Sequence, residues 1–142
     1  MAHIVFYQKP GCINNTKQLK LLTAAGHQVE PMSLLEHGWT AAQLQAFFAT
    51  KPLTECFNYT APAIKNGEID PQTLSDEQAL AAMIAQPLLI KRPLMIIDGQ
   101  HFIQGFDQHY IDQLIGLTAQ AGEEQTVSTL LAQDLETCPR QE

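Results

Sequence analysis

The residue with the clearest chemical potential is Cys12, which follows a short apolar segment and a break at Lys9-Pro10-Gly11. The apolar segment favours a strand, and the residues after Cys12 have a spacing typical of a helix. A cysteine at such a junction lies beside backbone N–H groups that have no partner within the helix. Their dipoles favour an anion, so we expect the thiolate to be stabilised and the pKa of Cys12 to fall. The alternative is a small apolar residue at a tight turn.

The other two cysteines, Cys56 and Cys138, are far apart in the sequence, and an odd set of three predicts no disulfide framework. The chain has no C-x-x-C pair, and its five histidines show no ligand spacing, so we expect no metal site. Cys56 and Cys138 are the candidates for a thiol that resolves a mixed disulfide on Cys12. The alternatives are a packed core thiol for Cys56 and an inert tail residue for Cys138.

Composition limits the classes of partner. The 142 residues suggest one domain, and 45% of them are hydrophobic, which is enough for a core. A net charge of −7 argues against binding to a nucleic-acid backbone, which depends on lysine and arginine contacts. No apolar run approaches the ~20 residues that span a bilayer, and the first residues do not resemble a signal peptide. We therefore expect a cytoplasmic protein that binds neither nucleic acid nor membrane.

The elements that would position Cys12 begin with a strand over residues 3–7, a helix over residues 13–25 and a second strand over residues 28–32. The helix stops at Gly26, and a short turn leads directly into the second strand. A strand, a helix and another strand in this order predict two parallel strands joined by a crossover helix.

The middle of the chain is predicted to be helical. Two capping boxes, Thr40 with Gln43 and Ser75 with Gln78, predict the starts of two helices. The first of these helices is expected to extend to Pro52. A short helical turn is expected near residues 61–65.

The last part of the fold is predicted to be a hairpin followed by a helix. Residues 94–97 favour a strand, and Asp98-Gly99 is a strong hairpin signal before a returning strand at residues 101–103. Asp107 can cap the next helix. One weak amphipathic set then predicts an appended helix before a polar end. We expect five aromatic residues in the core: Phe6, Tyr7, Phe47, Phe48 and Phe102.

These elements predict an α/β, thioredoxin-like fold with a mixed four-stranded sheet in the order β-α-β, helical insert, β-β-α, followed by a C-terminal helical tail. The predicted domain covers residues 1–120 and includes the insert at residues 33–86. The predicted tail covers residues 121–142 and contains a short helix.

Two segments at the two ends of this layout resemble the arsenate-reductase-like (ArsC/Spx) family. They are Tyr7-Gln8-Lys9-Pro10-Gly11-Cys12 and Leu89-Ile90-Lys91-Arg92-Pro93-Leu94. The resemblance covers roughly residues 3–118. Within the family the chain is most similar to the nitrogenase-associated branch, through Asn14-Asn15, Phe57-Asn58 with Ala61-Pro62, and the cysteine in the tail.

The resemblance implies a site. In arsenate reductases of this fold the cysteine after the first strand attacks arsenate, and Cys12 matches it. Three arginines hold the oxyanion, and Arg92 matches the one before a proline that is usually cis and faces the cysteine, here Pro93. Lys9, Gly11 and Asn15 complete the predicted anion-binding set. Their alternatives are a solvated charge for Arg92, an exposed loop lysine for Lys9, and for Asn15 either a hydrogen bond to the thiolate or exposure to solvent.

The sequence also departs from the family pattern. Arg92 and Arg140 are the only arginines, whereas a tetrahedral oxyanion needs several fork-shaped donors. The second arginine is missing near residues 58–61, and Gln104-Gly105-Phe106 stands where the third is expected. Asn15 occupies the second position of a C-x-x-C motif, so no disulfide can form within the motif.

Two functional hypotheses from different classes follow. The first is a monothiol redox protein that uses Cys12, with no bound cofactor, glutathione as a candidate co-substrate, and a glutaredoxin-type or nitrogenase-related protein as a partner. The second is a catalytically inactive thioredoxin-fold module that binds or regulates a partner. Glutathione- or glutaredoxin-linked arsenate reduction is a third reading, which the missing arginines disfavour.

Overall fold

A mixed four-stranded sheet forms the centre of the computed structural model, which describes residues 1–133 and 135. Its strands are β1 (His3–Gln8), β2 (Gln28–Ser33), β3 (Leu94–Ile97) and β4 (His101–Gln104), in the spatial order β2-β1-β3-β4. β1 is parallel to β2 and antiparallel to β3, and β3 is antiparallel to β4. The predicted mixed sheet is confirmed.

Six α-helices surround this sheet in the described part of the chain. The crossover helix α1 (Ile13–Ala24) joins β1 to β2. The insert between β2 and β3 contains α2 (Ala41–Phe48), α3 (Pro62–Lys65) and α4 (Asp76–Ala85). The hairpin is followed by α5 (Gln108–Ile115) and α6 (Glu124–Leu131). This order matches the predicted β-α-β, helical insert, β-β-α arrangement, while the predicted domain boundaries remain a prediction.

The two faces of the sheet carry two separate cores, because alternate side chains of a strand point to opposite sides. Ile4 and Phe6 belong to the core formed with α1, α5 and α6. Tyr7 belongs to the core formed with the insert, where its ring lies 4.8 Å from that of Trp39. The end of β1 is therefore covered on both sides.

The local sequence signals correctly predicted several boundaries. Both capping boxes are present, at Thr40 with Gln43 and at Ser75 with Gln78. Asp98 and Gly99 both have positive φ, and the Gln100 N–H donates to the Ile97 carbonyl at 3.0 Å, as in a type I′ turn.

Two expectations about the middle and the edge of the fold are wrong. α2 ends at Phe48 rather than at Pro52, because Ala49 has a positive φ of 54° that leaves the helical conformation. Phe102 is 41% exposed rather than part of the core. It lies on the edge strand β4, where the centroid of its ring is 5.2 Å from that of Phe47.

The predicted appended helix is α6, which packs on α1 through buried Val127 and Leu130. Leu135 is buried in the same core, while Leu131 is exposed. Cys138, the predicted resolving thiol, lies outside the described residues. Among the helices of the described residues, none combines the length and the apolar character needed to cross a membrane.

Candidate thiol site

A tight turn places Cys12 at the start of α1. The Cys12 N–H donates to the Lys9 carbonyl at 3.0 Å across Pro10 and Gly11. Gly11 has a φ of +85°, which L side chains rarely adopt, so the Pro-Gly pair fits a type II turn. A Cβ at Gly11 would meet nothing within 4 Å, so the backbone angle and not crowding requires glycine. This predicted anion-binding residue shapes the turn that carries Cys12.

Cys12 is the N-cap residue of α1, as the strand-to-helix pattern predicted. Its carbonyl accepts hydrogen bonds from the Thr16 N–H at 3.0 Å and the Thr16 hydroxyl at 3.1 Å. Its side chain is buried, with 5% of its surface exposed. Cys12 therefore lies at the positive end of the α1 dipole, where only a small part of its side chain is exposed.

Asn15 holds the turn against the helix. Its Oδ1 accepts a hydrogen bond from the Lys9 backbone N–H at 3.0 Å, and its Nδ2 donates to Gln18 Oε1 at 2.9 Å. The alternative of a solvent-facing Asn15 is wrong, since the side chain is 1% exposed. The structure thus gives Asn15 a role in positioning the loop before Cys12.

Arg92 and Pro93 lie at the same edge of the sheet as the Cys12 turn. Tyr7 pairs with Leu94 in antiparallel register, so the residues after Tyr7 and before Leu94 leave the sheet together. The Arg92–Pro93 peptide bond is cis, as the family resemblance implies. The Pro93 carbonyl accepts a hydrogen bond from the Gly105 N–H at 2.9 Å, which connects this edge to the end of β4.

Two cationic side chains near this edge are buried. Arg92 is 5% exposed and Lys9 is 8% exposed, so the alternatives of a solvated arginine and an exposed loop lysine are both wrong. A guanidinium and an ammonium group on adjoining segments give this end of the sheet positive charge, which is suited to an anionic group. The structure therefore places the predicted anion-binding residues Arg92 and Lys9 on the two chain segments that meet at the Cys12 edge.

Cys56 lies in the insert core, away from the solvent. Its Sγ donates a weak hydrogen bond to the Pro52 carbonyl at 3.6 Å. Burial raises the pKa of the Cys56 thiol; Lys51 opposes that shift, Glu55 adds to it and Lys91 opposes it. A buried thiol with a raised pKa is a poor nucleophile at neutral pH. This favours the interpretation of Cys56 as a packed core thiol over a resolving role.

Gln104 occupies the region where the family pattern would place an arginine. Its Nε2 donates to the Cys56 carbonyl at 3.0 Å and to the Lys91 carbonyl at 2.9 Å, and its Oε1 accepts from Lys51 Nζ at 2.8 Å. Burial lowers the pKa of Lys51. The Gln104 side chain thus joins β4 to the insert and to the segment before Arg92.

The sequence interpretation missed Gln18, a second buried polar residue that supports the site. Gln18 lies on α1 between Asn15 and the core residues Leu21 and Leu22, and it is itself buried. The available signal was its position, since it shares the core face of the helix with Leu21 and Leu22. A polar residue on the apolar side of a helix needs hydrogen-bond partners, and here they are Asn15 and the tail residue Leu135.

The described residues offer no group of three or more histidine, cysteine, aspartate or glutamate side chains that could hold a metal ion. The site offers the chemistry of a cysteine at a helix N-terminus, with two buried cationic residues, Arg92 and Lys9, on the adjoining chain segments. Such an arrangement can attack a disulfide or another oxidised group that carries negative charge.

Comparisons with known sequences place these features in a family. The model of the ArsC family matches residues 7–114. An uncharacterised 15.7 kDa protein in the draG 3′ region of Rhodospirillum rubrum is 43% identical over 141 residues, which cover 99% of this chain and 91% of that protein. An arsenate reductase of Synechocystis sp. is 32% identical over 94 residues, covering 65% of this chain and 67% of that enzyme.

Solved structures show the same fold. A possible arsenate reductase from Streptococcus mutans superposes with a TM-score of 0.67 at 20% identity, covering 81% of this chain and 100% of that one. An ArsC family related protein from Bacteroides fragilis superposes with a TM-score of 0.68 at 22% identity, covering 78% of this chain and 96% of that one. These likenesses confirm the predicted thioredoxin-like arrangement. From the match over residues 7–114, the chain belongs to the ArsC family.

Proposed function

We propose that this protein is a monothiol redox protein, in which the Cys12 thiolate forms a mixed disulfide with glutathione or with a cysteine of a glutaredoxin-type partner. The observation that carries the proposal is the position of Cys12 as the N-cap of α1, at the sheet edge that also holds Arg92–Pro93. The thiolate is the reactive form of a cysteine, and a helix N-terminus favours it.

The reaction is a thiol–disulfide exchange. The Cys12 thiolate attacks one sulfur of glutathione disulfide, a sulfur–sulfur bond forms to Cys12, and the other glutathione leaves as a thiolate. The S–S bond that breaks supplies the electron pair of the leaving group, so no further oxidant is needed. In the cytoplasm, where we place the protein, the glutathione pool provides both the oxidised and the reduced partner.

Arg92 and Lys9 supply selectivity for anionic partners in this proposal. Glutathione carries carboxylates, and a buried guanidinium binds a carboxylate through paired donors. Lys9 adds a positive charge on the turn that precedes Cys12. Both cations also favour the thiolate over the thiol, since they stabilise a nearby negative charge.

Arsenate reduction is a second candidate function, because the Synechocystis relative is an arsenate reductase. Two features of this chain disfavour it. Arg92 and Arg140 are the only arginines, and Gln104, in the region of a missing one, already donates to two backbone carbonyls. A tetrahedral oxyanion needs more fork-shaped donors than this. We expect arsenate reduction with glutathione and glutaredoxin to be at the level of the Cys12→Ser variant.

A binding or regulatory module is the alternative from a different class. Asn15 stands at the second cysteine position of a C-x-x-C motif, and its side chain is used to hold the turn. The resemblance to the nitrogenase-associated branch supports a nitrogenase-related protein as the partner, both for the monothiol redox protein and for the binding module. In nitrogen-fixing cells, a Cys12→Ser strain with an intact phenotype would favour the module, and loss of the phenotype would favour the thiol protein.

The direct test is incubation of the reduced protein with glutathione disulfide, followed by mass spectrometry under non-reducing conditions. We expect addition of glutathione at Cys12 and none in the Cys12→Ser variant. Cys56→Ser is the matched control and should behave as the unchanged protein, because Cys56 is buried in the insert core. Absence of any adduct or disulfide involving Cys12 would remove the proposal.

A further inference from the structure

Positive charge is concentrated at the end of the sheet that carries the candidate thiol site. The chain has a net charge of −7 and only 8 lysine and arginine residues. Four of them lie on segments at this end of the sheet: Lys9, Lys51, Lys91 and Arg92. Lys9 and Arg92 adjoin the Cys12 turn, whereas Lys51 and Lys91 lie nearer to the end of β4. An acidic protein that gathers its cations in one place is suited to an anionic partner there.

Three neighbouring strands bring these segments into one row. Tyr7 of β1 lies opposite Leu94 of β3, and Leu94 lies opposite Gln104 of β4. The turn before Cys12, the segment before β3 and Gly105 after β4 therefore leave the sheet at the same end. Neighbouring strands are about 4.8 Å apart, so the row from β1 to β4 is about 10 Å wide.

The side chain of Lys91 lies over Gly105. A Cβ built on Gly105 would be 3.6 Å from Lys91 Cε and 3.8 Å from Lys91 Nζ. Gly105 has a φ of +85°, which disfavours any side chain at this position, and its N–H donates to the Pro93 carbonyl at 2.9 Å. The Lys91 ammonium group therefore lies on the backbone of Gly105, one hydrogen bond away from Pro93.

Lys51 places a second positive charge close to Lys91. Lys51 Nζ donates to Gln104 Oε1 at 2.8 Å, and Gln104 Nε2 donates to the Lys91 carbonyl at 2.9 Å. Burial lowers the pKa of Lys51; Cys56 opposes that shift, Lys91 adds to it and Glu55 opposes it. The two ammonium groups thus repel each other, and an anion bound beside both would relieve that repulsion.

We propose that Lys91, supported by Lys51, binds the glycyl carboxylate of glutathione when Cys12 attacks the disulfide. An extended tripeptide spans about 10 Å, which matches the width of the row from β1 to β4. A lysine is a compact point charge and suits a single carboxylate. The glycyl carboxylate stands alone at its end of glutathione, whereas the γ-glutamyl carboxylate adjoins an ammonium group that the two lysines would repel.

The inference rests on the proposed function, because the bound carboxylate belongs to the disulfide that Cys12 attacks. No bond forms or breaks at Lys91, and the exchange of thiolate and disulfide at Cys12 is unchanged. Lys91 would select which disulfide reaches the thiol.

The test measures the rate at which Cys12 forms an adduct with each of two disulfides. One is glutathione disulfide, and the other is the disulfide of glutathione monoethyl ester, in which the glycyl carboxylate is esterified. We expect the unchanged protein to prefer glutathione disulfide by about fivefold, as for one partly exposed ion pair. Lys91→Met should lose most of this preference, and Lys91→Arg should keep most of it because the cation remains.

Lys20→Met is the matched control, since it removes the same charge from an exposed side chain on α1, two turns beyond Cys12. Its preference should equal that of the unchanged protein. The ratio of the two rates does not depend on the reactivity of Cys12, because the same thiol attacks both disulfides. An equal preference in Lys91→Met and Lys20→Met, or no preference in the unchanged protein, would overturn the inference but not the proposed function. Absence of a Cys12 adduct with either disulfide would instead overturn the proposed function.

Discussion

The Oδ1 atom of Asn15 accepts a hydrogen bond of 3.0 Å from the backbone N–H of Lys9, and this contact fastens the turn before Cys12 to the first turn of α1. It also explains why a polar residue is buried next to the thiol. The second cysteine of a C-x-x-C motif would stand at this position, and here its place is taken by a residue that stabilises the loop.

Replacing Asn15 with alanine should destabilise the protein. The buried Lys9 N–H would lose its acceptor and Gln18 would lose a donor, which costs about 1–3 kcal/mol in the free energy of unfolding. Urea denaturation measures this change. Asn66→Ala is the matched control, because the exposed Asn66 makes similar bonds to Glu68 and should cost under about 0.5 kcal/mol. Equal losses in the two variants would contradict the buried role of Asn15.

Replacing Arg92 with methionine should reduce the preference of Cys12 for anionic partners. Removing the buried charge should slow the reaction with glutathione disulfide by about tenfold relative to neutral hydroxyethyl disulfide, which corresponds to about 1.4 kcal/mol. The ratio of the two rates is measured at a pH where Cys12 is fully ionised. Arg92→Lys should retain part of the preference. If both disulfides slow by the same factor in Arg92→Met, the charge does not act on the partner.

Replacing Gln104 with alanine should remove the hydrogen bonds between β4 and the insert and so lower the free energy of unfolding. The carbonyls of Cys56 and Lys91 would lose a donor, and Lys51 would lose an acceptor, for a cost of about 2 kcal/mol. The unfolding midpoint in urea reports this loss. Gln100→Ala, in the exposed hairpin turn, should change stability by no more than about 0.5 kcal/mol.

Cys56 should resist alkylation where Cys12 reacts. Burial raises the pKa of the Cys56 thiol, so at neutral pH this group keeps its proton and is not a thiolate. In a Cys138→Ser background, native protein at neutral pH should take up iodoacetamide at Cys12, and denatured protein should take it up at both remaining cysteines. Peptide mapping gives the sites. Faster labelling of Cys56 than of Cys12 would argue against the assignment of the reactive thiol.

Local signals predicted most of the fold, because they depend on neighbouring residues alone. The capping boxes at Thr40 and Ser75 and the turn at Asp98-Gly99 each satisfy backbone groups within a few residues. Phe102 was misplaced because exposure at an edge strand depends on what lies beyond the strand. Local sequence carries no such information.

Burial at the site could not be predicted, since it arises from residues that are distant in the sequence. The segment before Arg92 is held by the bridge between Phe57 and Ile90, which brings the insert against it. Gln18 bonds to Leu135 across 117 positions of the sequence. From sequence alone, charged and polar residues are predicted to be exposed, because most of them are. Only the assembled fold shows which of them are buried.

The most direct test of the account is the titration of the Cys12 thiol, followed by thiolate absorbance as the difference between the protein and its Cys12→Ser variant. The position of Cys12 at the start of α1, with buried Arg92 and Lys9 on adjoining segments, predicts an apparent pKa clearly below the ordinary ~8.5 of a free cysteine. A pKa at or above that value would contradict the claim that this fold keeps Cys12 as a reactive thiol.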